Sequence, residues 1–320
     1  MTPKLFSETE PAATALERAL QELLACPECR GELARDSETL RCAACSARFP
    51  LVEGIPVFTG EKAGSQQEEE RSFRDDAAGK ELRRTPRELM ETAGLHHCLP
   101  VMGEHARRFR GRFSKREWIL DVGAGYAWPW AGMGDGAGVI GLDFSLGNLR
   151  LARRLAGERE DLLLICADAS RLPLKEGVIS GLWSAQAFQH FPEPVFEKAR
   201  RELDRVFKKE FRMELHHLHP APLYRLLYRL RGKHLHRKGR AGPFETCRLT
   251  PAEWKSKWSS LRGGRLEIRS GYSELFFHPE LGLRPRPYAA GLEQWIASRL
   301  PALAGLIARQ GVLRVETSSR

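Results

Sequence analysis

Residues Trp118–Ser145 read WILDVGAGYAWPWAGMGDGAGVIGLDFS. The apolar run Trp118-Ile119-Leu120 leads into Asp121, Gly123 and Gly125 follow, and a second apolar run from Val139 to Leu142 ends on Asp143. This pattern predicts a strand, a glycine loop, a short helix and a second strand. Without a Cβ, Gly123 and Gly125 let the backbone turn tightly and approach a ligand closely. Asp143, at the tip of the second strand and 22 residues after Asp121, is placed to accept hydrogen bonds from a ribose diol.

The stretch resembles the glycine-rich motif of class I methyltransferases, enzymes that use S-adenosylmethionine. In that family an acidic residue closes the first strand, G-x-G follows, and another acidic residue closes the second strand. Asp121, Gly123, Gly125 and Asp143 match. A nicotinamide fingerprint needs G-x-G-x-x-G, and Trp128 stands at its third glycine, which argues against a dinucleotide site. Tyr126, Trp128 and Trp130 occupy positions where smaller or polar residues are usual; they either narrow the methionine end of a pocket or simply pack. The resemblance implies an α/β fold, a doubly wound, mostly parallel seven-stranded sheet. It also implies that Gly123 and Gly125 face the methionine and sugar of the cofactor and Asp143 its ribose.

Further along, Leu162–Cys166 is a continuous apolar run of strand length, as expected for a strand covered on both faces. It ends in Ala167-Asp168-Ala169, where the family places an acidic residue near the adenine amino group, so Asp168 and Ala169 are the expected adenine contacts. Leu172-Pro173-Leu174 continues the resemblance. Val178–Trp183 is the expected fourth strand, and the loop after it holds Gln186 and His190. Loops at the carboxyl ends of such strands lie beside the ligand, which puts both near the methyl donor. His190 reads either as a general base, since an unperturbed histidine titrates near neutrality, or as a residue that packs the loop. Alignment alone carries many methyl transfers. After a helix over Phe196–Phe207 the family's Pro-Gly-Gly turn is replaced by Lys208-Lys209-Glu210-Phe211, which leaves open where the strand around Phe211–Leu215 begins.

Upstream, Cys26-x2-Cys29 and Cys42-x2-Cys45 are two cysteine pairs close enough for a hairpin to gather four thiolates around one tetrahedral Zn²⁺. A four-cysteine set leaves no open coordination position, so the metal is expected to be structural; a redox pair is the alternative. Cys26-Pro27, Gly31, Leu33, Phe49-Pro50 and Gly54-Ile55-Pro56 resemble small bacterial zinc-ribbon proteins, which occur alone or joined to methyltransferases. That resemblance leaves two roles for the ribbon, contact with substrate or support of the catalytic domain.

The 320 residues suffice for one large domain and a small one. A formal net charge of +10 makes an anionic partner plausible without choosing among RNA, a lipid surface and a phosphorylated substrate. No apolar run reaches membrane-span length and no secretory leader pattern is present, so a cytoplasmic location is expected, with peripheral contact at the inner face of the membrane as its variant. Domain boundaries follow: an N-terminal helix in 1–25, the ribbon over 26–58, a polar linker with helical pieces and a solvated acidic face over 59–87, the methyltransferase domain over 88–280, and a C-terminal amphipathic helix over 281–320. Within the domain a basic insertion spans 216–245, where no acidic residue separates Glu214 from Glu245. Its Leu223, Leu226, Leu227 and Leu230 have helical spacing, either as a basic amphipathic helix for phosphates or as a surface helix with leucines in the core. His216, His217 and His219 fall where an acceptor would bind. Arg265–Ile268 and Tyr272–Phe277 are expected as closing antiparallel strands around a Ser270-Gly271 turn.

The expected activity is S-adenosylmethionine-dependent methylation of a small molecule or a lipid- or sugar-linked intermediate. RNA is the alternative acceptor, and a non-catalytic binding module the alternative class.

Overall fold

A computed structural model describes residues 15–59, 65–96, 99–232, 238–241, 244–264, 266–278 and 289–317. After α1 (Ala15–Glu22), four short strands, β1 (Leu33–Asp36), β2 (Thr39–Cys42), β3 (Arg48–Val52) and β4 (Ile55–Pro56), form an antiparallel meander. Alternation turns Leu33, Leu40, Phe49 and Leu51 inward, giving this small unit a core beside its cysteines. Three helices follow, α2 (Ser65–Glu81), α3 (Pro86–His96) and α4 (Leu99–Arg110).

The larger unit is a doubly wound α/β sheet. Its strands and helices run β5 (Trp118–Val122), α5 (Trp128–Ala131), β6 (Gly138–Asp143), α6 (Leu146–Ala156), β7 (Leu162–Cys166), β8 (Ile179–Ala185), α7 (Glu193–Val206) and β9 (Phe207–Leu218). There follow α8 (Pro222–Leu230), the hairpin β10 (Lys238–Ala241) and β11 (Phe244–Cys247), α9 (Pro251–Trp258), β12 (Leu266–Ser273), α10 (Ala289–Arg299), α11 (Pro301–Ile307) and β13 (Gln310–Thr317). The seven-stranded order is β12-β13-β9-β8-β5-β6-β7. The pairs from β9 to β7 are parallel, and β13 runs antiparallel to both neighbours. Every residue of β5, β6 and β7 is buried, because helices cover both faces. The chain winds one way from β5 to β6 and the other way to β8, and the crevice at the carboxyl ends of these strands opens at that reversal.

Several expectations fail here, each for a tertiary reason. The segment 59–87 contains the helix α2, packed on α6 rather than crossing solvent. Asp75 on its inner face accepts hydrogen bonds from the Ser145 hydroxyl (2.6 Å) and the Gly147 amide (2.8 Å) at the start of α6. Glu69 and Asp76 do remain exposed. The catalytic unit does not end at 280, and 281–320 is not one amphipathic helix, because β13 inserts between β9 and β12. The two strands expected around a Ser270-Gly271 turn are one continuous strand, β12, paired along its length with β13. Without a glycine turn, α7 passes directly into β9 at Phe207, and the pairing register with β8 slips between Ile179 and Gly181. The basic insertion starts after β9, as α8 and the β10–β11 hairpin. His216 and His217 have their side chains buried within β9, and the His216 carbonyl accepts from the Gln186 amide at 2.7 Å; Glu214 takes hydrogen bonds from His105 Nδ1, His216 Nε2 and Arg314 Nε.

The meander extends the sheet past β7. Val57 forms a parallel bridge to Cys166, and the Phe58 amide donates to the Cys166 carbonyl at 2.7 Å. Arg30 bonds the Leu172 carbonyl (2.7 Å) and Glu202 (2.9 Å), and Arg171 pairs with Glu28. An edge that would expose unpaired backbone groups is thereby covered.

Candidate active site

The glycine loop is held from both sides. The amides of Gly123 and Ala124 donate to the Leu142 carbonyl (2.9 and 3.0 Å), closing the turn over the tip of β6. Both glycines are left-handed, with φ of 72° and 54°. They are glycines for different reasons: a Cβ on Gly123 would meet the Ala187 Cβ at 2.3 Å, whereas one on Gly125 would meet no atom within 4 Å. Gly123 thus lets the loop after β8 close in, and Gly125 leaves space beside the cavity.

Asp143 is buried and braces this loop. Its Oδ2 accepts from the Gly125 amide (2.8 Å) and its Oδ1 from the Ser145 amide (2.9 Å), and burial raises its pKa. Each carboxylate oxygen keeps further lone-pair capacity for a ligand hydroxyl. Asp121, also buried, accepts from the Trp130 indole Nε1 at 2.6 Å, and its pKa is pushed up to about 7, chiefly by burial. Trp130 therefore does more than pack, although it also meets Trp183 edge-on at 5.6 Å between ring centroids.

Asp121, Gly123, Gly125 and Asp143 border a cavity of about 520 Å³ that also reaches Asp168, Ala169, Gln186 and His190. The loop predictions therefore converge on one space, within the range of ordinary ligand pockets. Asp168 bonds the Ser170 amide (2.7 Å), forming a tight turn at the end of β7. Gln186 has φ of 62°, and its side-chain nitrogen is a buried donor with no protein partner among the described residues. A strained residue with an unanswered donor on a cavity wall suits a ligand acceptor, and with the space beside Gly125 it makes the cavity fit a nucleoside-bearing cofactor.

His190 is held by Gln189 and Thr246 among its neighbours. Gln189 Oε1 accepts from the Leu218 amide (2.6 Å), which turns its Nε2 towards His190 Nε2 (3.3 Å). The network thus assigns the accepting role to His190 Nε2 and the proton to Nδ1, which faces Thr246 Oγ1 at 3.3 Å. Sequence reasoning missed Thr246, which arrives from the β10–β11 hairpin, and missed the contribution of α2, whose Glu70, Arg71 and Arg74 line the cavity. Phe58 and Thr59, just past the meander, line it too. No local pattern marks any of these; only their packing brings them in.

Cys26, Cys29, Cys42 and Cys45 come together, their sulfurs all within 4.8 Å of one another. Cys26–Cys45 and Cys29–Cys42 Sγ separations are 3.7 and 3.4 Å. A zinc–sulfur distance of about 2.3 Å implies tetrahedral S···S edges of about 3.8 Å. The donor set and spacing fit a closed, structural Zn²⁺ site.

Comparison with known proteins agrees with both units. Residues 120–212 match the methyltransferase domain family and residues 17–54 the Trm112p-like protein family. Over 51 residues the chain is 41% identical to a UPF0434 protein of Shewanella denitrificans, covering 15% of this chain and 91% of that protein. A UPF0434 protein of Mannheimia succiniciproducens is 41% identical over 56 residues, 17% of this chain and 92% of its own length. Among solved structures, a chain of the complex formed by the Haloferax volcanii Trm112 methyltransferase activator shares the fold, with a TM-score of 0.50 and 15% identity over 78% of this chain and 97% of that one.

Proposed function

Because the chain is a class I S-adenosylmethionine-dependent methyltransferase with a Trm112p-like, four-cysteine zinc ribbon ahead of it, we propose that it methylates a small-molecule or a lipid- or sugar-linked acceptor. The observation that carries this is the character of the cavity beyond Gln186. Its wall is Phe191, Pro192 and Val195, and the arginines that line the cavity are already paired, Arg71 with Glu68 (2.6 Å), Arg74 with Glu70 (2.8 Å) and Arg171 with Glu28. Apolar walls with neutralised cations suit a compact organic group better than a nucleotide with its phosphates.

S-adenosylmethionine, when bound, supplies a methyl group activated by a sulfonium. The chain's residues then bind and orient. Asp143 accepts from the ribose hydroxyls, Gly123 and Gly125 leave room for the methionine and sugar, and Asp168 and Ala169 meet the adenine. Gln186 offers its unanswered donor. His190, with its accepting nitrogen held by Gln189, positions the acceptor instead of taking its proton. Alignment of acceptor and methyl then lowers the barrier.

The test is transfer of labelled methyl into cell extract, fractionated into RNA, lipid and small molecules. Label in the lipid or small-molecule fraction is expected, and nuclease-sensitive label would replace this reading with RNA methylation. Asp143→Ala is expected to weaken donor binding about tenfold or more by calorimetry, since the ribose and the Gly125 amide lose an acceptor. Unchanged affinity would mean the ribose is held elsewhere.

A further inference from the structure

Helix α8 is mounted with Tyr224, Tyr228 and half-buried Leu227 inward and with Leu223, Leu226 and Leu230 outward. Tyr224 and Tyr228 are buried, Tyr224 donating to the Leu275 carbonyl at 3.0 Å, while Leu226 is 52% and Leu230 74% exposed. Leu223 is exposed beside them. This is the reverse of an ordinary surface helix, whose leucines would fill the core. The orientation is secured, because α11 packs against the tyrosine side through Ile307.

The neighbouring helices also expose large apolar side chains. On α10 and α11, Trp295 is 55% exposed and Leu303 and Leu306 are exposed, while Ala304 is buried. Cations accompany these apolar side chains: Arg229 on α8 and Arg299 on α10 are exposed, Arg225 is half-buried, and no acidic residue occurs between Glu214 and Glu245. Exposed leucines and a tryptophan with arginines at their margin are the composition of a helix lying in a lipid interface. Among the described residues no helix is long and apolar enough to cross a membrane.

We propose that the exposed faces of α8, α10 and α11 dock the protein on an anionic lipid bilayer, with the leucines and Trp295 inserted at the acyl boundary and the arginines on the phosphates. The charge of the face selects this occupant. The proposal deepens, and rests on, the reading of the acceptor as lipid-linked, because the hairpin that follows α8 carries Thr246 to His190 on the cavity wall. Docking would bring the acceptor end of the cavity close to the source of a lipid-linked substrate.

The test is sedimentation of the full chain with vesicles of phosphatidylglycerol and phosphatidylcholine in equal parts, against vesicles of phosphatidylcholine alone. Binding to the first and little to the second is expected. The double variant Leu226→Asn, Leu230→Asn should lose about tenfold or more of that binding, because two apolar side chains no longer insert. Both positions are exposed, and retained donor binding by calorimetry shows that the variant is folded. Wild-type protein that ignores anionic vesicles, binding unaffected by the leucine pair, or self-association abolished by that pair would overturn the proposal. So would binding of a single-stranded RNA oligonucleotide in preference to vesicles. Methyl label in lipid or small molecules without vesicle binding defeats the docking surface alone. Vesicle binding with label only in RNA supports docking and defeats the acceptor reading.

Discussion

The donor and acceptor ends of the cavity are built in opposite ways. At the donor end, Asp121, Gly123, Gly125, Trp130 and Asp143 lie within one strand–loop–helix–strand unit, and backbone amides do most of the holding. At the acceptor end, the loop after β8 carries His190, and Thr246 reaches it from the β10–β11 hairpin more than fifty residues on. A local unit has little loop-closure entropy to overcome, so its geometry is stiff and stereotyped. The acceptor wall exists only when several long-range packings form together, and it can be remodelled without touching the donor loop.

This contrast can be broken from outside the donor loop by removing zinc. Metal binding to small four-ligand modules is worth roughly 10–16 kcal/mol and is coupled to their folding, so a chelator at neutral pH should unfold the ribbon and lower the melting temperature more than any single substitution. Phe58 and Thr59 line the cavity, so calorimetry should also show weaker donor binding. Donor affinity that survives with a lower melting temperature would mean that the ribbon supports the edge of β7 but not the cofactor.

Next in size is the difference between two glycines. Gly123→Ala must overcome both a left-handed backbone and the 2.3 Å approach to Ala187, so donor affinity should fall about a hundredfold. Gly125→Ala has only the backbone cost within the protein, about 1–2 kcal/mol. Any loss beyond that in calorimetry measures how closely the ligand itself approaches. Equal losses would put the ligand tight against Gly125 and sharpen the map of the donor end.

Asp121 offers a smaller, pH-dependent effect. Burial lifts its carboxyl to about 7, above its unfolded value of about 3.9. The folded state therefore binds more protons than the unfolded chain between those limits. Its contribution to stability is full below the unfolded pKa and is lost as pH rises through about 7. Urea unfolding at about pH 5 and about pH 8 should show the wild type losing stability relative to Asp121→Asn across that window. Parallel slopes would mean that Asp121 is ionised throughout.

The smallest effect expected is at His190. A positioning role predicts that His190→Phe changes kcat by no more than about tenfold and leaves the pH profile intact, whereas general-base catalysis commonly contributes 10² to 10⁴-fold, roughly. A loss of that size, with an acidic limb removed from the profile, would turn the acceptor end into a catalytic apparatus.

Legibility in the sequence followed the same division. Asp121, Gly123, Gly125 and Asp143 were readable because the turn and its carboxylates are neighbours along the chain. The four cysteines were readable because metal geometry restricts their spacing. Trp130 is an unusual residue for its position in the loop, but its bond to Asp121 depends on the turn of α5, which brings the indole over the end of β5. β13 could not be placed, because its position between β9 and β12 depends on pairing with strands nearly a hundred and about forty residues earlier, an arrangement local propensity does not encode. The spacing of Leu223, Leu226 and Leu230 identified a helix, but periodicity is blind to which face meets the core.

The sequence by itself determined the doubly wound α/β sheet, the zinc ribbon and the chemistry of the donor loop, since each depends on residues close together or on a spacing that physics narrows to few solutions. Tertiary structure alone decided that α2 and the ribbon's exit wall the cavity, that Gln189 takes up the accepting nitrogen of His190, and that α8 faces Leu223, Leu226 and Leu230 outward. Those outcomes depend on which distant surfaces meet, and a linear pattern holds no record of that until the chain has packed.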